Sequence, residues 1–187
     1  MVGEMISFAD RIQILGTENA FKLGDDIVRC EQGGINVIRL NLGEPDFASA
    51  ENINKVAIEN IKNGNTHYTN PRGILSLRES IARQVFQTRG VWINPDQIVV
   101  TTGGKLAIAY TMMAYVNPGD EVICPSLGFP IYASWVTFLD AVPVPLQLEE
   151  DKEFWFGAID LEKLISPKTK VLILNSPSRF AINIMAI

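Results

Sequence analysis

The segment from Ile98 to Ile108 places a short apolar run, two adjacent glycines and a helical pattern in direct succession. The β-branched residues from Ile98 to Thr101 predict a buried strand. From Lys105 onward, apolar residues recur at three- and four-residue spacing, which predicts a helix. These residues are Leu106, Ala109, Met112, Met113 and Val116. A buried strand that leads through a tight turn into a helix favours an α/β fold.

The turn from Thr102 to Gly104 is a candidate phosphate site. Glycine has no Cβ, so the backbone can approach a ligand closely. The first N–H groups of the following helix have no partner within it and lie at the positive end of its dipole. A tight connection without any ligand explains the same residues equally well. A P-loop is excluded because Val99 and Leu106 occupy the positions of its first glycine and its hydroxyl residue, and the dinucleotide fingerprint is absent.

Strands and helices alternate after Ile98, which predicts a parallel sheet with helices on both faces. The predicted strands are residues 121–124, 142–148 and 171–174, and the predicted helices are residues 129–138 and 160–165, the latter capped by Asp160. Pro143 and Pro145 remove two backbone donors, so their strand is expected at a sheet edge. Ligands of such sheets bind at the carboxyl ends of the strands, where residues 101–105 and 125–129 lie.

The chain before Ile98 predicts an arm, three helices and one strand. The arm covers residues 1–20 and contains one short helix. The predicted helices are residues 21–32, 51–63 and 74–89, and the predicted strand is residues 35–42. Ser49 is the expected N-cap of the second helix. The third helix carries an apolar face formed by Ile74, Leu77, Ile81 and Val85.

The composition excludes several classes of protein. The chain has 187 residues, of which 47% are hydrophobic and 20% charged, enough for one sizeable core. A net charge of −5 argues against nucleic acid as a main partner, and no segment predicts a signal peptide or a membrane span. Cys30 and Cys124 are far apart and predict free thiols in a reducing, cytoplasmic setting. With one histidine, His67, no metal site is expected.

Five short motifs occur in an order and spacing that resemble the class I/II aminotransferases. The motifs are Asn41–Phe47, Tyr68–Gly73, Thr102–Ala107, Asn117–Val122 and Phe129–Tyr132. These enzymes are fold-type-I proteins that use pyridoxal 5′-phosphate (PLP), and the resemblance extends from about Arg11 to Pro177. It implies part of the large domain of a PLP-dependent transferase, a parallel-strand αβα sandwich, with an N-terminal arm and part of the small domain.

The resemblance also implies boundaries and a strand order. Residues 1–47 would form the arm and the small-domain portion, residues 48–178 the N-terminal half of the PLP-binding large domain, and residues 179–187 an aberrant tail. The strand at 121–124 would lie between those at 142–148 and 171–174. The strand at 98–101 would lack its neighbour.

The family pattern gives roles to four residues around the cofactor. Backbone groups of Gly103, Gly104 and Lys105 would hold the phosphate of PLP, and Phe129 would stack on its pyridine ring. Phe129 can equally be a core aromatic residue. The side chain of Lys105 would meet the distal acid of a dicarboxylic substrate in some relatives, or simply be solvated.

Two further residues have family roles. Tyr68 would reach the phosphate of the neighbouring subunit's cofactor, which implies an active site shared across a homodimer; a surface tyrosine is the alternative. Gly43 would offer its backbone to the substrate carboxylate; a turn glycine is the alternative. The pattern assigns no role to His67 or Arg72.

The pattern breaks near the end of the chain. After Val171–Ser178 the family continues with Asn-Pro-Thr-Gly, whereas residues 179–182 read Arg-Phe-Ala-Ile. The break falls at the asparagine that would contact the pyridine ring. The family's aspartate for the pyridine nitrogen, its Schiff-base lysine and its substrate-binding arginine would all follow. No lysine of this chain has a matching context, so we expect a truncated N-terminal half without catalytic residues.

Three functions therefore remain in view. The first is a PLP-dependent aminotransferase that moves an amino group between an amino acid and a 2-oxo acid, inactive as this chain alone. The second is a non-catalytic remnant that binds or dimerises with an intact homologue. The third is a phosphate-binding α/β domain of another kind, which the missing nucleotide motifs disfavour.

Overall fold

A computed structural model of the chain describes residues 7–14, 22–43 and 45–176. Within these residues there are six α-helices: α1 (Gly24–Gln32), α2 (Glu51–Lys62), α3 (Leu75–Arg89), α4 (Gly104–Tyr115), α5 (Ile131–Phe138) and α6 (Ala158–Glu162). Short 3₁₀ turns lie at Asp10–Ile12, Pro95–Gln97 and Glu150–Lys152. The strands are β1 (Glu121–Ser126), β2 (Val142–Gln147) and β3 (Thr169–Leu172).

The three strands form one parallel sheet in the order β2-β1-β3. This confirms the predicted parallel α/β architecture, with the strand from residue 121 in the centre. It also confirms that the strand with Pro143 and Pro145 lies at an edge, where their missing N–H groups cost no pairing on the outer side. Within β1, Val122 and Ile123 are completely buried.

The chain divides into two compact units. The sheet unit comprises residues 1–43 and 108–187, and the turn unit comprises residues 44–107. One buried apolar cluster of the sheet unit is formed by Met112, Val116, Val122, Val136 and Ala141. This division rests on contacts within the chain and does not test the predicted boundaries at residues 47 and 178, which stay predictions. The predicted tail, residues 179–187, lies outside the described residues, as does most of the predicted arm.

Two predicted strands are wrong. Residues 35–42 are irregular, and Ile38 and Leu40 are more than three-quarters exposed. Ile98 is extended and buried, but residues 98–101 join no sheet among the described residues. Alternation and β-branching indicate extended backbone, but a strand also needs a neighbour to pair with.

Two predicted helix caps are also wrong. Ala50 is the N-cap of α2 and makes no side-chain cap bond, while the carbonyl of Ser49 accepts a hydrogen bond from Asn54 Nδ2 at 3.2 Å. Gly157 is the N-cap of α6, and the carboxylate of Asp160 in the first turn accepts from the Gly157 N–H at 3.0 Å. The first of these helices has the predicted extent to within one residue, whereas the second begins at Ala158 and ends at Glu162 instead of running from 160 to 165.

Candidate functional site

The glycine turn between residue 101 and α4 is held by two local hydrogen bonds. The Thr101 hydroxyl donates to the Gly103 carbonyl, and the Gly103 N–H donates to the Thr101 carbonyl, both at 2.9 Å. Gly103 has a φ of 93°, in the region that disfavours residues with a Cβ. Helix α4 begins at Gly104, so its first helical turn follows the glycine turn directly.

The surroundings of the turn suit an anion. A Cβ built on Gly103 or on Gly104 would have no non-neighbouring heavy atom within 4 Å, and Gly103, Gly104 and Lys105 are all exposed. The first N–H groups of an α-helix have no intrahelical partner and lie at its positive end. Lys105 adds a positive side chain at the same end. An open glycine turn with these donors fits a phosphate group.

The loop that carries Tyr68 is anchored on the segment that leads into this turn. The Val100 N–H donates to the Arg72 carbonyl at 3.0 Å. Gly73 has a φ of 98°, and a Cβ there would lie 2.8 Å from Val100 Cγ2, so only glycine allows this approach. Tyr68 itself is fully exposed. The predicted phosphate residues and the Tyr68 loop thus belong to one unit.

Sequence reasoning missed Arg78, which is 4% exposed on α3. Its Nε donates to the Gly73 carbonyl at 3.1 Å, and its Nη1 lies 2.8 Å from the Pro95 carbonyl and 3.0 Å from Asp96 Oδ1. The predicted apolar face of α3 is only partly realised, since Arg78 and Ala82 are its buried residues. The sequence signal that could have indicated a buried Arg78 is its position between the apolar residues Leu77 and Ile81.

Phe129 and Gly43 belong to the sheet unit. Phe129 follows β1 at its carboxyl end, is half-buried, and packs edge-on against Tyr132 with ring centroids 5.8 Å apart. Burial raises the pKa of the Tyr132 phenol. Gly43 lies in the exposed irregular segment after α1.

The backbone before Phe129 is tightly constrained. Leu127 has a φ of 69°, and a Cβ on Gly128 would lie 2.4 Å from the Pro125 carbonyl oxygen. A residue with a side chain at Gly128 would therefore force the chain that leads to Phe129 to shift. The structure thus gives Phe129 a defined place at the carboxyl end of β1, and its role towards a ligand stays a prediction.

Comparison with known proteins decides the family. Residues 35–179 match the family model described as aminotransferase class I and II. The chain belongs to this family. The resemblance read from the five motifs is thereby confirmed. Among the described residues no group of three or more potential ligands could hold a metal ion, and no helix there is long and apolar enough to cross a bilayer.

Individual aminotransferases of this family are similar over most of the chain. A "Probable aspartate/prephenate aminotransferase" of Rickettsia bellii is 40% identical over 148 residues, which are 79% of this chain and 37% of that protein. An "Aromatic-amino-acid aminotransferase 2" of Thermococcus litoralis is 34% identical, over 92% of this chain and 44% of that protein. The chain thus spans about two fifths of the length of the curated relatives it matches.

Solved aminotransferase structures share the fold. Aspartate aminotransferase from Thermus thermophilus, solved with maleate, superposes with a TM-score of 0.88 at 30% identity, over 94% of this chain and 46% of that one. Alanine aminotransferase from Pyrococcus furiosus superposes with a TM-score of 0.87 at 28% identity, over 92% and 44%. The α/β fold with a parallel sheet is therefore that of aspartate aminotransferase-like proteins.

Proposed function

We propose that the chain supplies the cofactor-phosphate site of a PLP-dependent aminotransferase, which transfers an amino group between an amino acid and a 2-oxo acid. The observation that carries the proposal is the open glycine turn at the N-terminus of α4. Backbone groups of Gly104 and Lys105 would hold the phosphate, while Gly103, whose N–H is bound to the Thr101 carbonyl, would keep the turn in its conformation. When bound, PLP supplies the electron sink that such a transfer needs.

The other residues would bind and orient. Phe129 would cover one face of the pyridine ring, because it stands at the carboxyl end of β1 and Tyr132 fixes it from the side. The backbone of Gly43 would receive the substrate carboxylate. Tyr68 would reach the phosphate held by a neighbouring subunit in a homodimer, a proposal supported by its full exposure. Sedimentation that reports only monomer would contradict the shared site.

We further propose that a polypeptide of these 187 residues alone binds PLP without catalysing transamination. None of its lysines has the sequence context of the family's Schiff-base lysine; they are Lys22, Lys55, Lys62, Lys105, Lys152, Lys163, Lys168 and Lys170. Turnover of an amino donor by this polypeptide, abolished by Lys105→Met, would contradict the proposal. The alternative, a remnant that acts by binding an intact homologue, requires co-purification with a full-length aminotransferase.

The phosphate site is tested by comparing PLP with pyridoxal, which lacks the phosphate. We expect Gly103→Ala and Gly104→Ala each to weaken PLP binding about tenfold and to leave pyridoxal binding unchanged, since a methyl group would enter the open turn. Gly64→Ala is the matched control for Gly103→Ala. Its φ is 75° and its Cβ position is equally open, so it carries the same backbone strain elsewhere.

The outcome separates a binding site from a structural turn. If Gly64→Ala weakens PLP binding as much as Gly103→Ala, the loss reflects general destabilisation and the phosphate site is wrong. The site is also wrong if the unmodified protein binds PLP no better than pyridoxal. Binding is measured by titration of the cofactor's absorbance.

A further inference from the structure

Arg78 is the only charged side chain buried among the described residues, and it joins two separate segments of the turn unit. One is the end of the Tyr68 loop, through the Gly73 carbonyl. The other is the turn before Ile98, through the Pro95 carbonyl and the Asp96 carboxylate. The Asp96 carboxylate also forms a salt bridge with the guanidinium of Arg72, whose Nη1 lies 3.4 Å from Asp96 Oδ1. The loop and the turn are thus bound to the same side chain.

The guanidinium suits this task for a geometric reason. Its donors lie in one rigid plane, so satisfying Gly73 from Nε and Pro95 from Nη1 fixes the separation of the two carbonyls. A buried charge without partners is costly, so the surrounding segments are held to the positions that satisfy it. A lysine has one flexible ammonium group and cannot hold both carbonyls in this way.

The contacts continue from Arg78 to the glycine turn. Gly73, whose carbonyl Arg78 binds, packs against the side chain of Val100, and the neighbouring Arg72 carbonyl accepts the Val100 N–H. Val100 directly precedes Thr101, whose hydroxyl and carbonyl both hydrogen-bond to Gly103. Each step is a direct contact, so a shift of Gly73 would be transmitted to the turn.

We propose that Arg78 is a positioning residue for phosphate binding. It holds the end of the Tyr68 loop on the segment that leads into the glycine turn, and so keeps Gly103 and Gly104 in the conformation that receives a phosphate. The ligand in this proposal, a phosphate group, is taken from the proposed function. The contacts of Arg78 do not depend on that function. If Arg78 only stabilises the fold, its loss would lower stability without changing the preference for PLP over pyridoxal.

The test uses the whole chain with three substitutions. Arg78→Met keeps the length of the side chain but removes its donors, and Arg78→Lys keeps the charge. Arg83→Met is the matched control, because Arg83 lies on the same helix but is exposed and, within the described part of the chain, donates only to the Ser80 hydroxyl at 2.9 Å. Two quantities are measured under native conditions: amide hydrogen exchange at Val100, and the dissociation constants for PLP and pyridoxal.

We expect Arg78→Met to speed exchange at Val100 about tenfold and to weaken PLP binding about tenfold, with pyridoxal unaffected. Arg78→Lys should restore part of both effects, and Arg83→Met should resemble the unmodified protein. Should Arg78→Met fail to fold, Asp96→Asn, which removes the charge of one acceptor, is expected to shift both quantities in the same direction by a smaller factor.

The proposal is overturned if Val100 exchange is unchanged in a folded Arg78→Met protein. It is also overturned if exchange is faster while the ratio of the PLP and pyridoxal dissociation constants stays the same, which would leave only a structural role. If the unmodified protein itself does not prefer PLP, the phosphate site is wrong, and Val100 exchange alone then decides whether Arg78 holds the loop.

Discussion

The sheet unit and the turn unit are stabilised in different ways. In the sheet unit Val122, Ile123 and Val136 are completely buried. In the turn unit α2 leaves Ile53 and Ile61 62% and 68% exposed. Among its described residues the turn unit buries two apolar side chains, Ala82 and Ile98, and adds polar and backbone contacts such as those of Arg78 and Gly73. We therefore expect apolar burial to contribute most to the stability of the sheet unit, and close backbone geometry to contribute more in the turn unit.

The largest expected effect comes from truncating the sheet core. Ile123→Ala should lower the free energy of unfolding by about 2–5 kcal/mol, because it removes buried methyl groups and leaves a cavity. Ile53→Ala should change it by at most about 0.5 kcal/mol, since Ile53 is mostly exposed. Urea denaturation followed by far-ultraviolet circular dichroism gives both values. Equal losses would mean that the two units do not differ in this way.

The next effect concerns backbone geometry in the turn unit. Gly73→Ala should cost about 2–4 kcal/mol, because it adds a left-handed residue with a Cβ and a clash with Val100. Gly64→Ala shares the positive φ but has open space around it, so it should cost only about 1–2 kcal/mol. The difference between the free energies of unfolding of the two variants measures the cost of placing a Cβ against the Val100 side chain. Were it zero, the contact of Gly73 with Val100 would not constrain the loop.

Sequence periodicity predicted the sheet because each of its strands carries its own signal. The run at Val122 and Ile123 is apolar, and the prolines of β2 indicate an edge wherever the neighbouring strand lies. Residues 35–42 and 98–101 carry similar signals and are not strands. Pairing depends on a second segment that no local pattern describes, so extended backbone is predictable from sequence and membership of a sheet is not.

The residues of the candidate site also differ in whether a local sequence pattern can indicate them. Gly103, Gly104 and Lys105 could be found because a glycine pair before a helix is a local pattern with a physical meaning. Arg78 could not, because its burial depends on acceptors contributed by Gly73 and Pro95, which lie on either side of α3 in the sequence. A local pattern places Arg78 next to an apolar face but does not show which carbonyls surround it.

The smallest predicted effect is a pH dependence of the free energy of unfolding that arises from a buried group in the sheet unit. Burial in β1 raises the pKa of the Cys124 thiol, so the folded protein keeps that proton to higher pH than the unfolded chain. The stability from this group is fully present below the ordinary thiol pKa of about 8.5 and is lost as the pH rises through the raised value. Unfolding free energy should therefore fall as the pH rises above about 8.5.

Cys124→Ala should flatten this part of the pH profile relative to the unmodified protein. The raised pKa of Tyr132 contributes equally to both proteins, so the difference in slope isolates Cys124. Denaturant midpoints at closely spaced pH values give the slopes. If Cys124→Ala and the unmodified protein lose stability in parallel, the thiol is hydrated in the folded state, and the core around β1 is less well closed than its exposure indicates.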